Sequence, residues 1–434
     1  MVRSKLFFVL SVFVLFGCVS LGFAVDYTNY NYGDVSKEVT DISFYKPAVD
    51  TNSYDTSGIM FKVKKSLGVK NVIFCIGDGM GVSQVALART KAAGLGGKLY
   101  MEKMPFTGLA RTHSANATVT DSAAAGTALA CGIKTNNGTL GMNPEGIVYQ
   151  SILEAAKEEG VKTGLVVTCT MSHATPASFA SHVTSRGMEA EISSQMLANK
   201  VNVMFGGGKQ SWLPKSTEGS KREDERNLIE EAKSQGYLFV NDSNELSKAT
   251  GDYVLGLFQM EALTTFSPEP SLPQMTEAAL RILTEKNKEG LFKDKFKINT
   301  KAFKRDKGFF MMIEGSQIDW ACHANNADNC IKQALLFDQA VKIAIDFAIK
   351  DKNTLVIVTA DHETGGLIIN GGDMKGEQID SKWASGGHSA TPVAVYAFGP
   401  GAEKFTGVMD NTEIPQRVAD LMGIKDFPKI KKND

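Results

Sequence analysis

Asn71-Val72-Ile73-Phe74-Cys75-Ile76, running at once into Gly77-Asp78-Gly79-Met80-Gly81 and a helical stretch near 82–91, decides the fold. An unbroken apolar run of this length, without alternation, suits a strand covered on both faces. The glycines turn the chain sharply and the helix carries it back. The same unit recurs along the chain. Residues 162–169 follow a helix over about 149–159, residues 308–313 and 354–359 flank a helix from about 329 to 350, and 392–398 reads as the last core strand. Apolar runs alternating with helices imply βαβ crossovers. The expected fold is α/β, a doubly wound, mostly parallel central sheet with helices on both faces. Ligands of such sheets bind beyond the carboxyl ends of the strands.

The remaining sequence sets the limits around that sheet. The chain has 434 residues and a formal charge of −1, with acidic and basic residues interspersed, so no nucleic-acid or membrane-surface field is indicated. Arg3 and Lys5 precede an apolar stretch over 6–16, too short to span a bilayer, and residues 1–24 read as a secretory signal. Export to the periplasm or the extracellular space is the expectation. Gly22-Phe23-Ala24 suits an ordinary signal peptidase, while Leu15-Phe16-Gly17-Cys18 resembles a lipobox; the chain meets a membrane only if Cys18 is lipidated. Residues 25–57, rich in Tyr, Asn and Asp, read as an arm or loop. Residues 58–434 read as one domain with a surface insertion near 207–305, most charged over 215–226. Gly206-Gly207-Gly208-Lys209 lacks the spacing of a phosphate loop and reads as a turn. Of the six cysteines, Cys75 and Cys169 lie in apolar runs and read as buried thiols, and Cys131 ends a helix of small residues. Cys322 and Cys330 are near enough in sequence to pair, but spacing does not decide it.

Polar residues gather where the strands end. Asp78 follows the first; Ser172-His173-Ala174-Thr175 follows another; Glu314 and then Asp319 and His323 follow a third; Asp361-His362 follow a fourth; and His388 sits in Gly386-Gly387-His388 before the last. Asp and His are the usual ligands of a catalytic zinc, and catalytic sites keep a coordination position open. Asp319 and His323 are four apart, so one helical turn puts both on one face. His113 and His182 have no acidic ligand candidate beside them and read as structural. A further signal is Thr120-Asp121-Ser122-Ala123-Ala124-Ala125-Gly126-Thr127. Small residues start a helix abruptly and permit close approach, and a serine at a helix N-terminus is a candidate nucleophile as well as a candidate cap. Arg186 offers a bidentate guanidinium to a tetrahedral oxyanion, or is a solvated helix arginine.

Taken together, these motifs from about residue 70 to 400 resemble the alkaline phosphatase family. The resemblance implies metal-dependent hydrolysis of phosphate monoesters to alcohol and inorganic phosphate at alkaline pH, through a phosphoserine at Ser122. It implies one zinc at Asp319, His323 and His388, and a second at Asp78, Asp361 and His362 that also faces Ser122. A magnesium would use Asp78 as a bridge together with Thr175 and Glu314. Arg186 matches the phosphate clamp and Asp121 the carboxylate that orients it. One branch of the family has aspartate and lysine where this chain has His173 and Trp320, a pairing that other bacterial members share. A nitrogen ligand at that third site suits zinc or cobalt better than magnesium. The interval between His362 and His388 is short, which implies a small or absent crown over the site and leaves a homodimer open. Other readings are a phosphodiesterase of the same superfamily, a sulfatase, or an exported metal- or phosphate-binding protein without catalysis. Ala123 to Thr127 hold neither the proline nor the arginine of a sulfatase nucleophile. A binding protein would tolerate Ser122→Ala.

Overall fold

The computed structural model describes residues 40–55, 69–285 and 307–431. The expected signal segment and Cys18 lie outside them. Ten strands form the central sheet: β1 (Asn71–Gly77), β2 (Phe106–Arg111), β3 (Lys162–Thr170), β4 (Val203–Gly207), β5 (Leu238–Val240), β6 (Val254–Leu257), β7 (Phe309–Gly315), β8 (Thr354–Thr359), β13 (Val393–Phe398) and β14 (Gly407–Asp410). The order across the sheet is β14-β2-β13-β8-β1-β7-β3-β4-β6-β5. Four short strands stand apart from it: β9 (Glu363–Thr364), β10 (Ile368–Gly372), β11 (Ile379–Lys382) and β12 (His388–Ser389). All ladders in the sheet are parallel except the two made by β13.

The central strands β8, β1 and β7 are buried along their whole length, as an unalternating apolar run requires. The Ala327–Asp351 helix covers one face of them, and the Ala174–Ala180 helix is buried on all its residues. Phe74 meets Phe179 edge-on with ring centroids 6.1 Å apart. Each such fully buried side chain contributes about 1.5–3 kcal/mol relative to exposure. Residues 41–55 of the expected arm lie against the body: Tyr45 donates to Asp338 Oδ2 at 2.6 Å and Tyr54 packs on Phe398. Among the described residues no helix is long and apolar enough to cross a membrane.

Three expectations need adjustment. Strand 393–398 is the antiparallel member of the sheet, and β14 follows it at the edge. Gly206 and Gly207 close β4, so the expected turn begins at Gly208, whose φ is +95°. Within 207–305, β5 and β6 extend the sheet and the Leu272–Thr284 helix lies beneath β3. Leu255, Leu257, Met275 and Ile282 there are buried. That part of the stretch is core rather than surface insertion, because β6 is buried at every residue and the helix packs its apolar side on β3. Between His362 and His388 the chain makes only the exposed β10–β11 hairpin and the β9–β12 ladder, a small crown.

Candidate active site

Strands β8, β1, β7 and β3 are neighbours, and their register brings the acidic residues into one row. Ile76 pairs with Thr359 on one side and Glu314 on the other, and Glu314 pairs with Val167. Side chains two residues apart share a face, so Asp78, Asp361 and Cys169 each fall one step beyond that row. The turn after β1 must then pass very close to the helix carrying Asp319. Gly79 has φ +70°, and a Cβ on it would lie 2.8 Å from Asp319 Cα. Its backbone N–H donates to Asp361 Oδ1 at 3.1 Å.

Three histidines turn their Nε2 atoms into the cluster because Nδ1 is committed elsewhere. His323 Nδ1 faces Gly386 O at 2.6 Å and His388 Nδ1 faces Thr120 O at 2.8 Å. Thr364 donates its hydroxyl proton to Asp319 Oδ1 at 2.5 Å, so it accepts from His362 Nδ1 at 3.2 Å. Fixing Nδ1 in this way orients a metal-ligating imidazole. His323 Nε2 and His388 Nε2 are 3.1 Å apart, and the His362 and His388 rings stack at 3.6 Å. Zinc–nitrogen bonds of about 2.0–2.1 Å in a tetrahedron put neighbouring ligands about 3.3 Å apart. The donor set therefore fits a zinc-like ion.

The electrostatics agree. Asp78, Glu314, Asp319 and Asp361 are all buried. Both oxygens of Asp78, Oδ2 of Asp361 and Oε1 of Glu314 lack a hydrogen-bond donor among the described residues. Burial, and then the charges of Asp361, Asp319 and Glu314, push Asp78 well above the usual carboxylate range. Burial and Asp319 push Asp361 up to about 8, and burial takes Glu314 to about 7. Asp319 is the exception. Burial would raise it, but the hydrogen bond from His323 and the neighbouring histidines hold it below the ordinary range. Like charges buried together need a counter-cation. Asp78, Asp361 and His362 offer ligand atoms within 4.8 Å of one another, as do Asp319, His362 and His388, and likewise Cys169, His173 and Glu314.

Beside this cluster the Ser122–Cys131 helix begins. Asp121, not Ser122, caps it: its Oδ1 accepts from Ala124 N at 2.9 Å. The Ser122 hydroxyl is thereby released from capping and lies 3.3 Å from His362 Nε2. The small residues bring this helix against the one that carries Thr175; a Cβ on Gly126 would sit 2.6 Å from Ser178 Oγ. Asp121 Oδ2 also accepts from Gly138 N and lies 3.3 Å from Arg186 Nη1. Arg186 is not on a helix. The Ala174–Ala180 helix ends in extended backbone at Ser181, and Val183 then bridges to Leu140. Arg186 Nη2 faces His173 Nε2 at 3.0 Å, and burial with this guanidinium holds His173 down to about 3. Trp320 lies edge-on to His173.

With that geometry in place, known proteins give a consistent answer. The family model for alkaline phosphatase matches residues 69–381 and 373–424. The chain belongs to the alkaline phosphatase family. It is an enzyme, a metal-binding hydrolase of phosphate monoesters. Alkaline phosphatase 4 of Bacillus subtilis is 34% identical over 428 residues, covering 80% of this chain and 87% of its own. The alkaline phosphatase of the Antarctic bacterium TAB5 is 33% identical, with a TM-score of 0.70 over 83% of this chain and 99% of that one. A TAB5 variant with aspartate in place of a histidine, equally similar in fold, has magnesium bound in its M3 site.

For this phosphatase, then, the residues singled out from sequence (Asp78, Asp121, Ser122, His173, Thr175, Arg186, Glu314, Asp319, His323, Asp361, His362 and His388) gather beyond the carboxyl ends of the central strands β8, β1, β7 and β3. His113 and His182 stand outside it: His113 lies 3.3 Å from Asp410, and His182 bonds Glu154 and Gly141 O. Sequence reasoning passed over Thr364, whose signal was its place two residues after His362. It also passed over Cys169 as a neighbour of Glu314, which alternation along β3 would have shown. Cys322 Sγ and Cys330 Sγ lie 3.6 Å apart as thiols.

Proposed function

We propose that Ser122 is the nucleophile of this phosphatase and that its Oγ attacks phosphorus in line with the departing alcohol. Ser122 gives up its hydroxyl proton to solvent as the Oγ–P bond forms, the P–O bond to the alcohol breaks, and the alcohol leaves with a proton from solvent. Water then attacks the phosphoserine from the opposite side, releasing inorganic phosphate and regenerating the hydroxyl. Arg186 holds two phosphate oxygens through its planar fork, and Asp121 keeps that fork aimed while capping the nucleophile's helix. The helix N-terminus adds N–H dipoles where negative charge accumulates. The zinc set is Asp319, His323 and His388 with Asp78, Asp361, His362 and Ser122; the third set is Asp78, Thr175 and Glu314 with His173, a magnesium site in the family that here suits zinc or cobalt. Divalent ions so held would ease deprotonation of Ser122 and of water and neutralise the transferring group.

The observation that carries this reading is the Ser122 hydroxyl, freed from capping by Asp121 and lying 3.3 Å from His362 Nε2. Recognition falls on phosphate rather than on the alcohol, so the substrates are small phosphomonoesters of broad identity. Residues 1–24 are read as an export signal and 25–57 as an arm on a single domain of 58–434, with the protein periplasmic or extracellular, lipid-anchored only through Cys18, and a homodimer compatible. The deciding experiment is hydrolysis of an aryl phosphomonoester and an aryl phosphodiester at alkaline pH, before and after chelation, with zinc and magnesium restored separately. Zinc is expected to restore monoester hydrolysis. No monoester activity after full remetallation refutes the reading, and a preference for the diester replaces it. Changing His173→Asp with Trp320→Lys is expected to tighten magnesium binding; an unchanged magnesium affinity would sink that assignment.

A further inference from the structure

Cys169 sits at the carboxyl end of β3, fully buried, with its thiol 3.4 Å from Glu314 Oε2. Strand register explains why. Val167 pairs with Glu314, and Cys169, two residues on, returns to the same face. The ladder from β3 to β4 shifts between Val166 and Thr170, so the strand is irregular at this residue. Cys169, His173 and Glu314 each bring a ligand atom within 4.8 Å of the others.

A thiol that merely packed there would donate one weak hydrogen bond and leave the site closed. Two buried groups are left wanting instead. Glu314 Oε1 and His173 Nδ1 have no hydrogen-bond partner among the described residues. Glu314 is itself fully buried. Thr175 adds a hydroxyl beside Glu314. A carboxylate oxygen and an imidazole nitrogen without partners, beside a thiol that bonds only weakly to that same carboxylate, are a ligand set, and its softest member decides which ion it prefers.

We propose that Cys169 is a thiolate ligand of the third metal site, making it a site for a borderline-soft divalent ion such as zinc rather than magnesium. The inference rests on the metal-centre reading above and deepens it. Magnesium demands oxygen donors in near-octahedral array and gains little from sulfur. Zinc binds thiolate, imidazole and carboxylate together. On metal binding the S–H bond breaks, the sulfur keeps its electron pair and shares it with the ion, and the proton leaves to solvent, so uptake at this site falls in acid.

The test uses the full chain, stripped by chelation and titrated with cobalt(II). Cobalt at nitrogen and oxygen ligands gives visible d–d bands, while a thiolate adds a near-ultraviolet charge-transfer band. The wild type is expected to show both. In Cys169→Ser the charge-transfer band is lost and the visible bands remain. Zinc retained after dialysis against excess magnesium is expected to fall by about one equivalent in the same variant. Visible bands without charge transfer in the wild type overturn the thiolate ligand and leave the metal centre standing. Absence of both band types refutes the metal centre itself. Should Cys169→Ser fail to fold, Cys322→Ser decides: a wild-type charge-transfer band that survives it supports Cys169, and one that it removes overturns the proposal.

Discussion

Two buried clusters of carboxylate and histidine lie in this molecule, and they are built on opposite principles. Around Glu154, every charge has a partner. Its carboxylate accepts from Ser151 N, Asn199 Nδ2, His182 Nε2 and Lys431 Nζ at 2.7–3.1 Å. Burial would raise Glu154, but His182 and Lys431 overcome it and take the carboxyl down to about 2. Around Asp78 the acids face one another instead, and burial raises them. A cavity of about 510 Å³ opens beside Glu154, Lys157 and Lys431, yet its lining offers no reactive group left wanting. A buried acid whose lone pairs are all taken is structural; one whose lone pairs are idle awaits a cation.

The contrast can be broken most forcefully at Ser122. Ser122→Ala is expected to lower kcat for an aryl phosphomonoester by about 10³-fold or more, as removal of a nucleophile does, while cobalt still binds and its visible bands persist, shifted by the loss of one oxygen ligand. A residual rate within tenfold of wild type would mean the hydroxyl is a bystander.

Chelation comes next. In the metal-free protein Asp361 and Glu314 bind protons with folded pKa values of about 8 and about 7, above their ordinary 3.8 and 4.5. The folded state then holds more protons than the unfolded one between roughly pH 4 and 8, so stability falls as pH rises through that window. Glu154, depressed to about 2 from 4.5, acts oppositely, and its contribution is lost as pH falls from about 4.5 toward 2. Thermal unfolding of the chelated protein should therefore show a higher Tm at pH 5 than at pH 8, and zinc should raise the pH 8 value most. A Tm indifferent to both would show that the Asp78 cluster is already compensated.

Glu154→Gln isolates the other cluster. It removes the counter-charge of Lys431 and weakens the hydrogen bonds from His182, Ser151 and Asn199, and is expected to cost about 1–3 kcal/mol in denaturant unfolding, with KM and metal content unchanged. Loss of metal on that substitution would show the two clusters to be coupled.

The smallest effect is expected at Gly126. Gly126→Ala pushes a methyl against Ser178 Oγ, which costs about 1–3 kcal/mol if the two helices cannot separate. If they do separate, Thr175 moves with its helix and the third metal is lost first, readable as zinc content.

Much of this was legible in the chain. The central strands read directly, since a strand buried on both faces must be apolar throughout. β2, with Thr107 and Gly108 inside it, and the short β4–β6 did not, because alternation or brevity hides them. The helical spacing of Asp319 and His323 foretold their 3.2 Å contact. Arg186, by contrast, arrives on an extended segment held by Leu140, a long-range pairing that local pattern does not encode.

What the sequence determined alone was the kind of chemistry: apolar strands, turns at their ends, and acids, histidines and one serine placed just past those turns. Period and spacing are local properties, and they survive in one dimension. What only the tertiary structure decided was which of several polar groups does what. Ser122 was a candidate cap as much as a candidate nucleophile until the fold gave the capping role to Asp121. Cys169 was an inert thiol until register set it beside Glu314. Partnership between residues far apart in sequence depends on strand order and register, which the whole chain fixes together.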